Sequence, residues 1–278
     1  MPRVFFGKRI KLMIRRHIDP SKERAFKKYS NDLINKAFRL AGIGAKSSPR
    51  ITYETKGRLK AGDWVRVRPL NEIKNSLNHW NQVKGCTFMP EMARYCGTTQ
   101  RILKVMNRFV DERDFRIKNS SGIILLKGVI CPGTQDFGHC DRACFHFFRK
   151  EWLEKIEPSE GGVENGKTKE KMSNEWVRVR PLNEIKDILK YNSSSNNCLF
   201  VPEMEPYCGT RQRVLKRMTR FVDERDLKAK RTSNLVLLDG VTCQGGSEIG
   251  GCDRACHFMW KNEWLKQSYG GFSIEDRR

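Results

Sequence analysis

The chain has 278 residues, 38% hydrophobic and 31% charged, with 54 Lys/Arg against 32 Asp/Glu and a formal charge of +22. That length exceeds one small domain and suits two or three compact units. No apolar run reaches the ~18–20 residues that span a bilayer, and charges interrupt any signal-like stretch near the start, so the expectation is a cytoplasmic protein of bacterial style. The charge predicts a polyanionic partner: nucleic acid, an anionic membrane surface or an acidic protein.

Residues 1–60 form an unrepeated basic segment, with 17 Lys/Arg against four Asp/Glu. Phe5, Phe6, Ile10, Met13 and Ile14 interleave with Lys8, Arg9, Lys11, Arg15 and Arg16 as a basic amphipathic helix, able to lie on an anionic bilayer or on nucleic acid. Asp19-Pro20-Ser21 predicts a break, and a second helix is expected from Lys22 to Ala41, ahead of Gly42.

The next signal is a repeat. WVRVRPLNEIK starts at Trp64 and recurs, identical, at Trp176, 112 residues later. The same offset carries Tyr95-Cys96-Gly97 onto Tyr207-Cys208-Gly209, FVDERD at Phe109 onto Phe221, and CDRAC at Cys140 onto Cys252. The chain therefore reads as module one over 61–156, a polar linker over 157–173, module two over 174–267 and a polar tail over 268–278.

Inside each module the reading is mainly β with short helices (α+β). Val65 to Arg68 alternates as a half-buried strand, Asn71 to Leu77 suits a short Asx-capped helix, and Gln100 to Asp111 and Ile123 to Val129 are read as strands. The CxxxC segment through Glu151-Trp152-Leu153 reads as a turn followed by a helix, with Trp152 and Trp264 in the core. The expected architecture is two tandem zinc-stabilised SH3-like small barrels behind a basic helical segment.

The ten cysteines divide five and five at the repeat offset, whereas the histidines do not repeat, so a shared metal site must be built from thiolates. Four thiolates bind Zn²⁺ tetrahedrally. The preferred set is Cys96, Cys131, Cys140 and Cys144, with Cys208, Cys243, Cys252 and Cys256 in the second copy and two zinc ions per chain. Cys86 and Cys198 lie in apolar surroundings and read as core thiols, although either could replace a ligand. Disulfides, an iron–sulfur cluster and unliganded thiols are the alternatives; an odd count per module argues against disulfides, and the absence of a dense CxxCxxC run argues against a cluster.

The segments GDWV at Gly62, FMPEMARYCG at Phe88, LKGVIC at Leu126 and the endings Cys140 to Leu153 and Gly250 to Leu265 resemble an uncharacterised bacterial family with GDWVxV, FxPEMxxYCG, VxLxGxxCxG and CxxxCxxFWxExWL modules. The opening GDWVRVR also resembles the first strand of SH3-like barrels, including those of electron-transport accessory proteins. The resemblance implies a fold and no activity.

No GxSxG, GxxxxGK[ST] or strand-linked GxGxxG occurs, and the carboxylates of PEM and DERD read as partners of neighbouring arginines rather than as acid/base groups. The function expected is a non-enzymatic tandem zinc-binding protein that engages a polyanion, most readily nucleic acid. The expected contacts are Arg66, Arg68, Arg101, Lys104 and Arg108, their counterparts Arg178, Arg180, Arg213, Lys216 and Arg220, and Lys8, Arg9, Arg15 and Arg16. The alternatives are an accessory or scaffold protein for a biosynthetic enzyme or membrane-surface assembly, and a metal-dependent or redox enzyme.

Overall fold

The structure is a computed structural model, and it describes residues 18–41, 57–133, 139–157, 174–191, 198–246 and 250–267. The first expected helix, with Lys8, Arg9, Arg15 and Arg16, lies outside the described residues, as do most of the linker and the tail. The second helix is present as α1 (Pro20–Leu40). No helix among the described residues is long and apolar enough to cross a membrane.

The first copy contains β1 (Trp64–Val67), α2 (Leu70–Ser76), a small hairpin of β2 (Gln82–Val83) and β3 (Cys86–Thr87), then β4 (Thr99–Asp111), β5 (Arg116–Leu126), β6 (Phe148–Arg149) and β7 (Leu153–Ile156). The second contains β8 (Trp176–Val179), α3 (Leu182–Tyr191), β9 (Arg211–Asp223), β10 (Lys228–Leu238), β11 (Trp260–Lys261) and β12 (Leu265–Gln267). The fold is mixed α+β and dominated by two antiparallel five-stranded sheets, ordered β6-β5-β4-β1-β7 and β11-β10-β9-β8-β12. No closing ladder joins the outer strands of either sheet, so neither is a closed barrel.

Alternation explains the first strand of each sheet. Val65 and Val67 are fully buried while Arg66 is exposed, and Val177, Val179 and Arg178 repeat the pattern. Gln100 to Asp111 is a strand, as expected. Helix α2 starts one residue before Asn71, with Pro69 at the N-cap position and no side-chain cap hydrogen bond, so the expected Asx cap is absent. The expected helix after the CxxxC segment is absent. The chain instead forms β6, a single 3-10 turn at Lys150–Trp152 and β7, which buries Trp152 beneath the sheet and lets β7 pair with β1. Trp152 and Trp264 are core residues, about 1% and 0% exposed, each edge-on to a phenylalanine: Phe88 and Phe200.

The two copies interlock rather than hang apart. Each has its own core, around Val65, Ile73 and Trp152 or Val177, Ile185 and Trp264. Two further cores are mixed: Ala255 packs with Met106, Ile123 and Leu125 of the first copy, and Ala143 packs with Met218 and Leu237 of the second. Phe145 stacks on its own repeat counterpart, His257, at 5.4 Å and 16°. A pseudo-twofold axis therefore runs between the copies, and each CDRAC segment crosses it.

A β-bulge receives each crossing segment. The β4–β5 register slips between Met106, opposite Ile123, and Arg108, opposite Asn119, and there the Asn107 and Arg108 amides turn to the other copy. Asp253 Oδ2 accepts from both, at 2.9 and 3.1 Å, and the Asp253 amide donates to Arg108 O at 2.9 Å. Lys104 pairs with Asp253 at 3.1 Å. The reciprocal latch sits where β9–β10 is irregular: Thr219 N, Thr219 Oγ1 and Arg220 N donate to Asp141 Oδ2 at 2.9, 3.0 and 3.0 Å, with Lys216 at 2.8 Å. Burial pushes the Asp141 carboxyl up, but Lys216 and these amides outweigh it and hold its pKa at about 2.

On the axis, Arg142 grips Glu112 bidentately at 2.6–2.7 Å and reaches Glu224 at 3.6 Å, while Arg254 grips Glu224 at 2.8–3.2 Å and reaches Glu112 at 3.3 Å. Of the DERD carboxylates, Glu112 and Glu224 thus neutralise the two seam arginines, while Asp111 and Asp114 reach Arg24 of α1 and Asp223 pairs with Arg225 and Lys230.

Candidate metal centre and polyanion face

The eight candidate ligands divide by location. Cys96 and Cys208 follow the 3-10 turns Pro90–Tyr95 and Pro202–Tyr207. Their glycine neighbours turn no amide toward a metal site: Gly97 N–H donates to Val67 O at 2.8 Å, and Gly209 N–H divides between Val179 O and Arg180 O. Burial raises the Cys96 thiol, against the pull of the Lys74 ammonium, and Cys208 Sγ faces Met204 O at 4.0 Å.

The other three cysteines of each copy lie closer together. Cys131 and Cys144 are joined by a 2.7 Å hydrogen bond from the Cys131 amide to the Cys144 carbonyl, and Cys243 and Cys256 by one of 2.8 Å. Gly133 and Gly245, at φ +96° and +82°, press against the backbone of Cys140 and Cys252 so tightly that a Cβ would strike the carbonyl oxygen. Gly245 N–H donates to Cys243 Sγ at 3.3 Å, but burial and the nearby Glu203 outweigh that bond and raise the thiol above its ordinary value. Glu203 also accepts from Gln244 N and Gly246 N at 3.2 and 2.6 Å, and it hydrogen-bonds the Cys243 thiol. Its first-copy counterpart, Glu91, has a buried Oε2 with no hydrogen-bond partner among the described residues. Cys140 and Cys252 accept amide bonds at 3.4 Å from Val222 and Val110 of the opposite copy.

Among the described residues no group of three or more His, Cys, Asp or Glu side chains is drawn close enough to hold a metal ion. Burial pushes the Cys144 and Cys256 thiols up, to about 12 and about 11. Cys86 and Cys198 pack against the cores, with their thiols facing Phe147 O and Met259 O at 3.4 and 3.2 Å.

The candidate cations also divide. Arg68 and Arg180 are structural: each donates to a 3-10-turn carbonyl, Glu151 O or Glu263 O, and pairs with Glu72 or Glu184. Lys104 and Lys216 belong to the latches, and Arg108 Nη1 donates to Gly250 O at 3.3 Å. Arg220 lends its backbone to the second latch. Arg66, Arg101 and Arg178 remain exposed, and Arg213 is half-buried.

On the outward face of the second sheet, Trp176 is 42% exposed, with the Arg211 guanidinium 4.9 Å over its ring. The register places Arg213 opposite Trp176, and Arg178 between Arg211 and Lys266. Like charges set directly across a ladder repel. The first copy has Thr99 and Glu154 where the second has Arg211 and Lys266, flanking Arg66 beside Trp64. Arg211 and Lys266 are not among the expected contacts, which follow what the two copies share; their signal lies in positions where the copies differ by charge.

No family model matches the chain, and no curated protein matches it.

Proposed function

We propose that this protein is a non-enzymatic binder of a polyanion, with nucleic acid as the partner, and that the second copy carries the contact face. The observation that carries the reading is the exposed Trp176 ringed by Arg178, Arg211, Arg213 and Lys266. An exposed indole offers a stacking platform, and a cluster of cations that repel one another gains free energy when phosphates neutralise it.

Zinc belongs to the same reading, as a staple for modules with modest cores. Its support is the N–H-to-sulfur knuckle at Cys243, the backbone approach at Gly133 and Gly245, and the orphaned Glu91 oxygen. Cys131, Cys140 and Cys144, with Cys243, Cys252 and Cys256, are the thiolates to be ligated. Cys96 and Cys208 would have to swing in, and Glu91 and Glu203 compete with them for the fourth position. The strand order, with a 3-10 turn before the last strand, supports the SH3-like reading.

A test titrates a fluorescent single-stranded oligonucleotide with the full chain at several salt concentrations. Four cations predict a log–log salt slope near about −3. Trp176→Ala is expected to cost about 1–3 kcal/mol of binding, and Arg178→Glu to flatten the slope. Affinity independent of salt, or unchanged in both variants, refutes the reading. Metal analysis of the purified chain, of Cys208→Ser and of Glu203→Gln decides the zinc stoichiometry and the fourth ligand.

A scaffold role has one observation of its own. Helix α1 bridges to the first copy through Arg24–Asp111 and Glu23–Arg113, yet leaves Phe26, Tyr29 and Leu33 more than half exposed, a surface suited to a protein partner.

A further inference from the structure

Helix α1 meets the first copy along one face. Glu23, Lys27 and Phe38 share that face at helical spacing. Glu23 pairs with Lys27 and Arg113, the Lys27 ammonium sits 5.9 Å over the Trp80 ring, and Phe38 stacks on His79 at 5.5 Å. Arg24 reaches Asp111 and Asp114 beside it. These contacts fix the rotation of the helix and so decide which residues stay outside.

What stays outside is an apolar line. Phe26, Tyr29, Leu33 and Leu40 stand at i, i+3, i+7 and i+14 and are 63, 68, 56 and 84% exposed, with exposed Ala25 and Ala37 beside them. At 1.5 Å per residue the line runs about 21 Å. Lys22 and Lys36 lie along it and Lys28 on its flank, all exposed and in no ion pair among the described residues; Asp32 is the exposed carboxylate between them. The helix is not apolar enough to cross a bilayer. Apolar and aromatic side chains along one line of a polar helix, with lysines beside them, are the pattern of a helix lying in the plane of a membrane surface. Its apolar side chains reach about 5–10 Å toward the acyl boundary while the lysine heads meet anionic headgroups.

Other occupants fit less well. The line offers on the order of 400 Å², so two of them fall short of the ~1,200–2,000 Å² of a stable pair, and a second copy would bring its own charge of +22 against the first. A protein partner would need a groove for a convex ridge, whereas a bilayer moulds to it. We propose that the outer stripe of α1 seats the protein on an anionic bilayer surface.

Sedimentation of the full chain with vesicles of phosphatidylglycerol in phosphatidylcholine, and with vesicles of phosphatidylcholine alone, tests this. The mixed vesicles should bind at least about tenfold more tightly. Leu33→Ser and Phe26→Ser should each weaken that binding about tenfold, as the lost burial of one large apolar side chain requires, and Lys36→Gln about fivefold. Trp176→Ala and Leu199→Ser should leave it unchanged; Leu199, 80% exposed on the second copy, reports unspecific adsorption. All the stripe substitutions are at exposed positions, and an unchanged thermal midpoint checks each variant. The proposal is overturned if mixed vesicles bind no better than neutral ones, or if Leu33→Ser, Phe26→Ser or Lys36→Gln binds as tightly as the parent chain, which would leave the attraction to other cations. It is overturned equally if Trp176→Ala or Leu199→Ser costs as much as Leu33→Ser, or if the parent chain forms a lipid-free dimer that Leu33→Ser dissolves, which would give the stripe to a second copy.

Discussion

Replacing Asp141 with alanine removes the acceptor of three hydrogen bonds and the partner of Lys216, all reaching into the opposite copy. Hydrogen bonds to a charged group contribute about 1.5–3 kcal/mol each, but these share one carboxylate and do not add. Thr219 is exposed, so water can replace part of what its amide loses, whereas the Arg220 amide sits deeper. A loss of about 2–3 kcal/mol follows, below the ~3–5 kcal/mol of a fully buried broken pair. For a body of this size that is a fall of about 5–10 °C in thermal midpoint. Asp253→Ala should cost a similar amount through Asn107, Arg108 and Lys104. Because both latches close one seam, the double variant should lose at least about 1 kcal/mol less than the sum. Urea unfolding of the four proteins measures the cycle, with Asp187→Ala, whose pair with Lys190 is solvent-exposed, as a control expected within about 0.5 kcal/mol. An Asp141→Ala cost under about 0.5 kcal/mol, or strict additivity, would show that the copies do not hold each other in this way.

Gly245→Ala should destabilise by more than about 2 kcal/mol, because the new methyl meets the Cys252 carbonyl as well as a left-handed backbone, whereas Gly209→Ala, at φ +75° with open space, should cost only about 1 kcal/mol; equal losses in urea would contradict the close approach. Glu151 is pushed up by burial but held at about 2 by Arg149 and Lys84, so its contribution is complete above the ordinary glutamate value of 4.5 and is lost as pH falls from there toward 2. Discounted for solvent screening, that is about 1–2 kcal/mol, and Glu151→Gln should flatten the acid limb of a stability–pH curve over that window. Burial raises Cys86 to about 12 from an ordinary 9.0; its contribution is complete below pH 9 and fades as pH rises through 12, by about 1.4 kcal/mol per pH unit once the unfolded thiol is ionised. Cys86→Ala should remove that alkaline slope, and an unchanged slope would mean that this thiol is not what drives it.

Much of each copy was legible because it depends on local pattern. WVRV alternates, so β1 and β8 follow; LNEIK carries a helical period behind a proline; and tryptophans in EWL could only be buried in modules this small. The crossing segments were not legible. CDRAC has metal-ligand spacing, and read alone it offers two sulfurs; nothing local reveals that its aspartate fits a bulge in the other copy, because a bulge is a property of two paired strands. The cysteine set was half legible. The recurrence at 112 residues identified the thiols, but only coordinates separate Cys96 and Cys208, beside their 3-10 turns, from the knuckle that Glu203 enters.

Joining the copies in one chain changes what each is free to become. Two identical modules meeting on a twofold axis must keep every surface self-consistent, since any change appears twice. A covalent linker removes that constraint and holds the partner at high effective concentration. The groups of the seam are the same in both copies: Arg142 and Glu112 correspond to Arg254 and Glu224, and the latch Asp141 corresponds to Asp253. Away from it the copies differ in opposite directions. The second has Arg211 and Lys266 beside an exposed tryptophan where the first has Thr99 and Glu154, and the first has His146, Lys84 and Lys150 where the second has Phe258, Asn196 and Asn262. A seam built from the same residues in both copies, with outer faces that differ in charge, is what a duplicated scaffold allows once the shared part is structural and each outer face can vary alone.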